Sequence, residues 1–168
     1  MKLKNIKKAP IEIASTLALN DTIVRLIYDD DPSVLINKKE IKVSIQELID
    51  NNYIGFYPAT ETGIKSVDKN TFIIINLEDF SLQAADSNIS VAGAIYITTD
   101  KSHALLSGNK LRLLELADEI DHTLNNIKLS SAGKITVNSM HYTVFSDFRS
   151  GYRINFRLND QSNRKAEL

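Results

Sequence analysis

The stretch NKLRLLELADEIDHTLNNI, residues 109–127, decides how the rest of the chain is read. Its apolar positions are 111, 113, 114, 116, 117, 120, 124 and 127, and polar residues hold 112, 115, 118, 119, 122, 125 and 126. Only a pitch of about 3.6 residues sorts these onto two faces, so the stretch is an amphipathic helix. So wide an apolar face has to lie against a sheet, and the strands must come from the flanking sequence.

Upstream, TFIIINLEDF (residues 71–80) is rich in isoleucines that are stiff at the β carbon, and ISVAGAIYITT (89–99) alternates in polarity. The polar AADSN between them makes an antiparallel hairpin the simplest pairing. YIGFY (53–57) reads as a brief earlier strand. Downstream of SSAG (130–133), a strand beginning at Ile135 and Val137 continues through Tyr142 and Val144. Ser150 and Gly151 are expected to form a tight hairpin turn, with the glycine taking positive φ. The last strand then places Tyr152, Ile154, Phe156 and Leu158 on one face and Arg153, Asn155 and Arg157 on the other.

The first third reads as helical. Pro10 suits a first helical turn, and Ile13 with Leu17 and Ala14 with Ala18 form an apolar stripe. Asn20 and Asp21 cap a second helix that continues through Ile23, Val24, Leu26, Ile27 and Tyr28 as a buried piece. DDDPS (29–33) ends it, because Pro32 disfavours helical geometry at Asp31. Ser44 and Glu47 have the spacing of a capping box for a short helix. The expected organisation is a flexible basic arm over 1–9, one domain over 10–160 and a polar tail over 161–168. Its fold class is α+β, a mainly antiparallel sheet of about five strands with helices packed on one face.

Composition narrows the chemistry. The 168 residues carry 20 Lys+Arg against 21 Asp+Glu and no cysteine. Without a net basic charge, any nucleic-acid contact has to be local, and without cysteine there are no disulfides, thiolate nucleophiles or Cys-type zinc sites. Glu12, Ser15 and Thr16 interrupt the leader-like opening, and no run has the length of a membrane span. The histidines at 103, 122 and 141 fall in no ligand motif, and Asp118 with His122 reads as a solvated helical pair. DDD lacks the alternating ligands of a calcium loop. SGNK (107–110) lacks the glycine spacing of a phosphate loop and reads as helix capping. No catalytic residue, cofactor or metal is expected, and the chain reads as a non-enzyme.

The arginines carry the remaining signal. Bases stack on a sheet only where aromatic rings share the exposed face with basic groups, and here Tyr152 and Phe156 have the opposite parity from Arg153 and Arg157. A solvent-facing strand and a subunit contact are the two readings that fit.

Three features carry a resemblance: the opening IASTLALNDTIVRLIYDDDPS, the central strands with their long polar loop PATETGIKSVDKN (58–70), and the amphipathic helix leading into MHYTVFSDFRSGYRINFRLND. In their order the chain resembles neck and tail-completion proteins of tailed bacteriophages, including the tail-terminator type. The resemblance implies a virion protein, assembled in the host bacterial cytoplasm, that forms a homo-oligomeric ring at the head-to-tail junction. Its partners would be other neck, connector or tail proteins, with packaged DNA passing nearby and no membrane involved. It further implies a subunit interface in which Arg149, Arg153 and Arg157 meet Asp29, Asp30 and Asp31 of the next copy. Thr60, Glu61, Lys65, Asp68 and Lys69 of the long loop would order against neighbours. Two other classes stay open: a small nucleic-acid-binding accessory protein using Lys2, Lys4, Lys7, Lys8 and the arginine strand, and a ligand-binding domain or enzyme with a pocket between helix and sheet.

Overall fold

A computed structural model describes residues 6–38, 40–56, 64, 67–83 and 88–159. Helix α1 (Ala9–Ala18) opens with Pro10 in its first turn. The Asn20 side chain caps α2 (Asp21–Tyr28) by accepting the amides of Thr22 and Ile23 at 2.9 and 3.2 Å. After the short α3 (Val34–Asn37), Ser44 and Glu47 close the expected capping box on α4 (Ile45–Asp50). The strands are β1 (Ile54–Gly55), β2 (Thr71–Gln83), β3 (Asn88–Asp100), β4 (Leu105–Leu106), β5 (Lys110–Leu111), β6 (Lys128–Leu129), β7 (Gly133–Val144) and β8 (Arg149–Asn159). Helix α5 (Arg112–Leu124) is the amphipathic segment.

The architecture is α+β. Six strands form one sheet in the order β1-β2-β3-β8-β7-β6, and β4 and β5 form a small hairpin. The β2–β3, β3–β8, β7–β8 and β6–β7 pairs are antiparallel, and β1 lies parallel to β2. Beyond the four long strands, β1 and β6 are two-residue pieces that pair only one end of each outer strand.

Helices cover one face of the sheet. There Ile73, Ile75, Val91, Ile95, Ile97, Ile135, Ile154, Phe156 and Leu158 are buried against Ile13, Leu17, Ile23, Leu26, Leu116 and Ile120. The opposite face has a smaller core of Ile64, Val67, Phe72 and Ile74, flanked by Tyr96 and Phe145. No described helix is long and apolar enough to cross a membrane.

Several local readings change. Ile6 and Ala9, within the segment expected to be a loose arm, are buried in the main core. Tyr28, expected in a buried helical piece, is 43% exposed. Leu111, expected in the helix, ends β5, and both it and Leu114 on α5 are exposed while Arg112 is fully buried. SGNK is the turn of the β4–β5 hairpin, with Gly108 at φ +81° and Asn109 at φ 60°, and it caps no helix. Ser150 and Gly151 lie inside β8, and the chain reverses three to five residues earlier, where the Phe145 amide donates to the Arg149 carbonyl at 3.1 Å. Gly151 is required by close approach: a Cβ there would sit 2.0 Å from the Ile97 carbonyl oxygen.

Candidate functional site

Arg112 opens α5 with its guanidinium turned into the protein. Its Nη1 donates to the carbonyls of Leu26 and Asp29, both at 2.7 Å, Nη2 to that of Asp31 at 3.2 Å and Nε to that of His103 at 3.0 Å. One planar fork thus ties the end of α2 and the acidic turn to the loop before β4. Burial lowers the Arg112 pKa, and the negative charges of Asp30, Asp29 and Asp31 oppose that shift. The turn is braced further: Asp29 accepts the Asp31 amide at 3.0 Å, and Asp31 accepts the Ser33 amide at 2.7 Å. Asn70, just before β2, donates to the Asp30 carboxylate at 2.6 Å.

Beside this turn the Tyr28 and Tyr53 rings stack at 5.0 Å and 33°, and the Lys69 ammonium lies 4.8 Å from the Tyr53 ring centre. Tyr28, Asp30, Tyr53, Asp68, Lys69 and Asn70 line a cleft of about 170 Å³. With the Lys69 ammonium already over Tyr53 set against the Asp30 and Asp68 carboxylates, the cleft keeps a negative balance that suits a further cation, above all a guanidinium, which pairs with carboxylates and stacks on aromatic faces.

The second cluster lies on the sheet face away from the helices. Arg149 donates to the Val67 carbonyl at 3.0 Å and lies 5.2 Å from the Phe72 ring centre, pinning the segment that crosses this face. Arg153 is ion-paired with Glu78, which also accepts the Tyr96 hydroxyl at 2.7 Å. Arg157 is exposed and has no hydrogen-bond or ion-pair partner among the described residues. The three arginines therefore share a face as their parity requires, yet two are engaged within the chain.

Burial pushes the Tyr96 phenol up to about 12, helped by the Glu78 hydrogen bond and charge and opposed by Arg153. A phenol pKa raised by folding contributes stability that is whole below the ordinary value of 10 and is lost as pH rises to about 12. Tyr96→Phe is expected to remove a phenolate absorbance step near 12 and to flatten the alkaline loss of stability across that window. An ultraviolet pH titration paired with denaturation checks this. Survival of the step in the variant contradicts the assignment.

Residues 20–158 match the YomW family. The chain belongs to the YomW family. This is a phage-associated family, so the chain is bacteriophage-related. No curated protein matches it. The YomW span contains both clusters and leaves out α1.

Of the residues singled out in the sequence, Asp29, Asp30, Asp68 and Lys69 converge on the acidic end of this YomW protein. Asp31 lies on the same braced turn. Thr60, Glu61 and Lys65 lie outside the described residues. Arg112, Tyr28, Tyr53 and Glu78 were missed. Arg112 stands one helical turn before the buried Leu116, on the flank that continues into Glu119 and Thr123, both bonded to Asn20, and nothing in the polarity pattern sets it apart from a solvated arginine.

Proposed function

We propose that this YomW protein is a structural virion component that forms a ring at the phage head-to-tail junction, as neck, terminator or adaptor, and acts by assembly instead of catalysis. Membership of a phage-associated family supports the setting. The observation that carries the reading is the separation of two complementary patches. Arg157 stands opposite Ala92 and Thr136, whereas Arg149, at the other end of β8, stands opposite Asp100 beside the acidic end. Eight residues of strand put roughly 26 Å between those levels, so Arg157 and the acidic cleft of one copy do not meet. Where each copy offers its Arg157 to one neighbour and its cleft to another, the contact is heterologous, and heterologous contacts close into rings when the rotation permits. In this assembly Arg157 enters the Tyr53, Asp30 and Asp68 cleft of its neighbour, and other virion neck, connector or tail proteins cap the ring.

Arg157→Glu is expected to abolish oligomers larger than two copies in sedimentation velocity. Asp30→Arg should do the same, and the two reversals combined should restore assembly. Large oligomers that are indifferent to both reversals would contradict this contact.

A further inference from the structure

Among the described residues, the lower half of β7 is an open sheet edge. Above it, Ile135 exchanges backbone hydrogen bonds with residues 126 and 127 at 3.0 and 2.8 Å, and the Val137 amide donates to Asn125 Oδ1 at 3.3 Å. Below the bulge between Val137 and Ser139, no strand flanks that side among the described residues.

The hydrogen-bond phase of this edge can be followed through the hairpin. The Phe145 amide bonds the Arg149 carbonyl, so residues 145, 143 and 141 direct their backbone groups toward β8. Met140, Tyr142 and Val144 therefore direct theirs outward. The same three side chains lie on the helix-covered face, in register with Ile154, Tyr152 and Ser150, yet are 39, 59 and 62% exposed. Edge strands in monomeric proteins are protected by lysine, proline, inward charge or a bulge; the bulge here lies above, between Val137 and Ser139, and residues 139–144, SMHYTV, below it have no lysine and no proline.

We infer that this edge pairs with the same edge of a second copy about a two-fold axis. Antiparallel pairing centred on Tyr142 sets Tyr142 against its own equivalent and Met140 against Val144. All these positions point their amides and carbonyls outward, so the pairing forms about six backbone hydrogen bonds. Polar Ser139, His141 and Thr143 then fall together on the other face. Leu114 adds to the apolar side: Arg112, Glu119 and Thr123 of α5 face α2 and its cap, so the exposed Leu114 lies on the opposite flank of a helix that packs on β7 and β8. Phe148, 73% exposed at the hairpin tip, reaches the partner's segment before β6. The exposed parts of Met140, Tyr142, Val144, Phe148 and Leu114 come to roughly 500 Å² per copy, most of the roughly 800 Å² per partner of a stable interface. Charge agrees as well, because the same register brings Asp147 of the tip toward Lys128 of the other copy.

This isologous contact uses a surface distinct from the Arg157 contact, so it is tested in the full chain carrying Arg157→Glu, where ring contacts are removed. A dimer is expected in sedimentation velocity, with slowed amide hydrogen exchange at Met140, Tyr142 and Val144. Val144→Lys should weaken it roughly tenfold or more. Asp147→Lys and Lys128→Asp should each weaken it, and their combination should restore it. A monomer at every concentration up to the high-micromolar range, or a dimer unaffected by Val144→Lys, would overturn the inference while leaving the ring reading in place.

Discussion

Replacing Arg112 with alanine is expected to destabilise the fold by roughly 3–5 kcal/mol, from several carbonyls left without a donor and from the cavity the side chain leaves. The side chain is fully buried and serves four carbonyls from three separate segments, at Leu26, at Asp29 and Asp31, and at His103. Buried acceptors left without a donor lose about 1–3 kcal/mol each, reduced where relaxation admits water. Arg112→Met keeps much of the volume but strands the same carbonyls, and should be nearly as harmful. Arg112→Lys restores charge and a donor without the planar fork and should fall between the wild type and the alanine variant. For a chain of this size the alanine variant should melt about 10–15 °C lower. A loss below about 1 kcal/mol by urea denaturation would mean that the acidic turn is held by something else.

Gly151→Ala is expected to be comparably severe, at about 3 kcal/mol or more. The new methyl would lie 2.0 Å from the Ile97 carbonyl oxygen and 2.8 Å from the Phe145 ring. Gly151 is paired on both sides, with Thr98 and Thr143, so neither neighbouring strand can retreat without breaking the centre of the sheet. Gly108→Ala is the natural comparison, since its methyl meets nothing within 4 Å and only the φ of +81° is strained. That variant should lose about 1 kcal/mol. Equal urea midpoints for the two variants would remove the steric explanation.

These two residues also mark where the sequence stops being legible. Periodicity finds α5, the β2–β3 hairpin and the inward parity of Ile154, Phe156 and Leu158, because each depends on neighbours within the same element. Arg112 depends on carbonyls about 80 residues away, and a polarity pattern assigns any arginine to solvent. Gly151 resembles a turn residue because Ser-Gly commonly is one. Its real constraint, the Ile97 carbonyl and Phe145, comes from sequence 54 residues before it and six residues before it.

Leu111 follows the helical period in the sequence yet ends β5, and exposed Leu114 lies at the margin of the buried face of α5. At the candidate site, parity places the three arginines on one face, but it does not show that Val67 and Glu78 occupy two of them. The acidic turn is visible as DDDPS. Its aromatic neighbours Tyr28 and Tyr53 meet only because α2 and the start of β1 come together in space.

The central claim is that this YomW protein works as a built part of a phage particle. Labelling the chain with a small tag in a phage that carries its gene, and imaging purified particles by cryo-electron microscopy, tests this most directly. A ring of tagged density at the head-to-tail junction, lost from particles carrying Arg157→Glu, is the predicted result. Intact, infectious particles with no copy of the chain at that junction would contradict it.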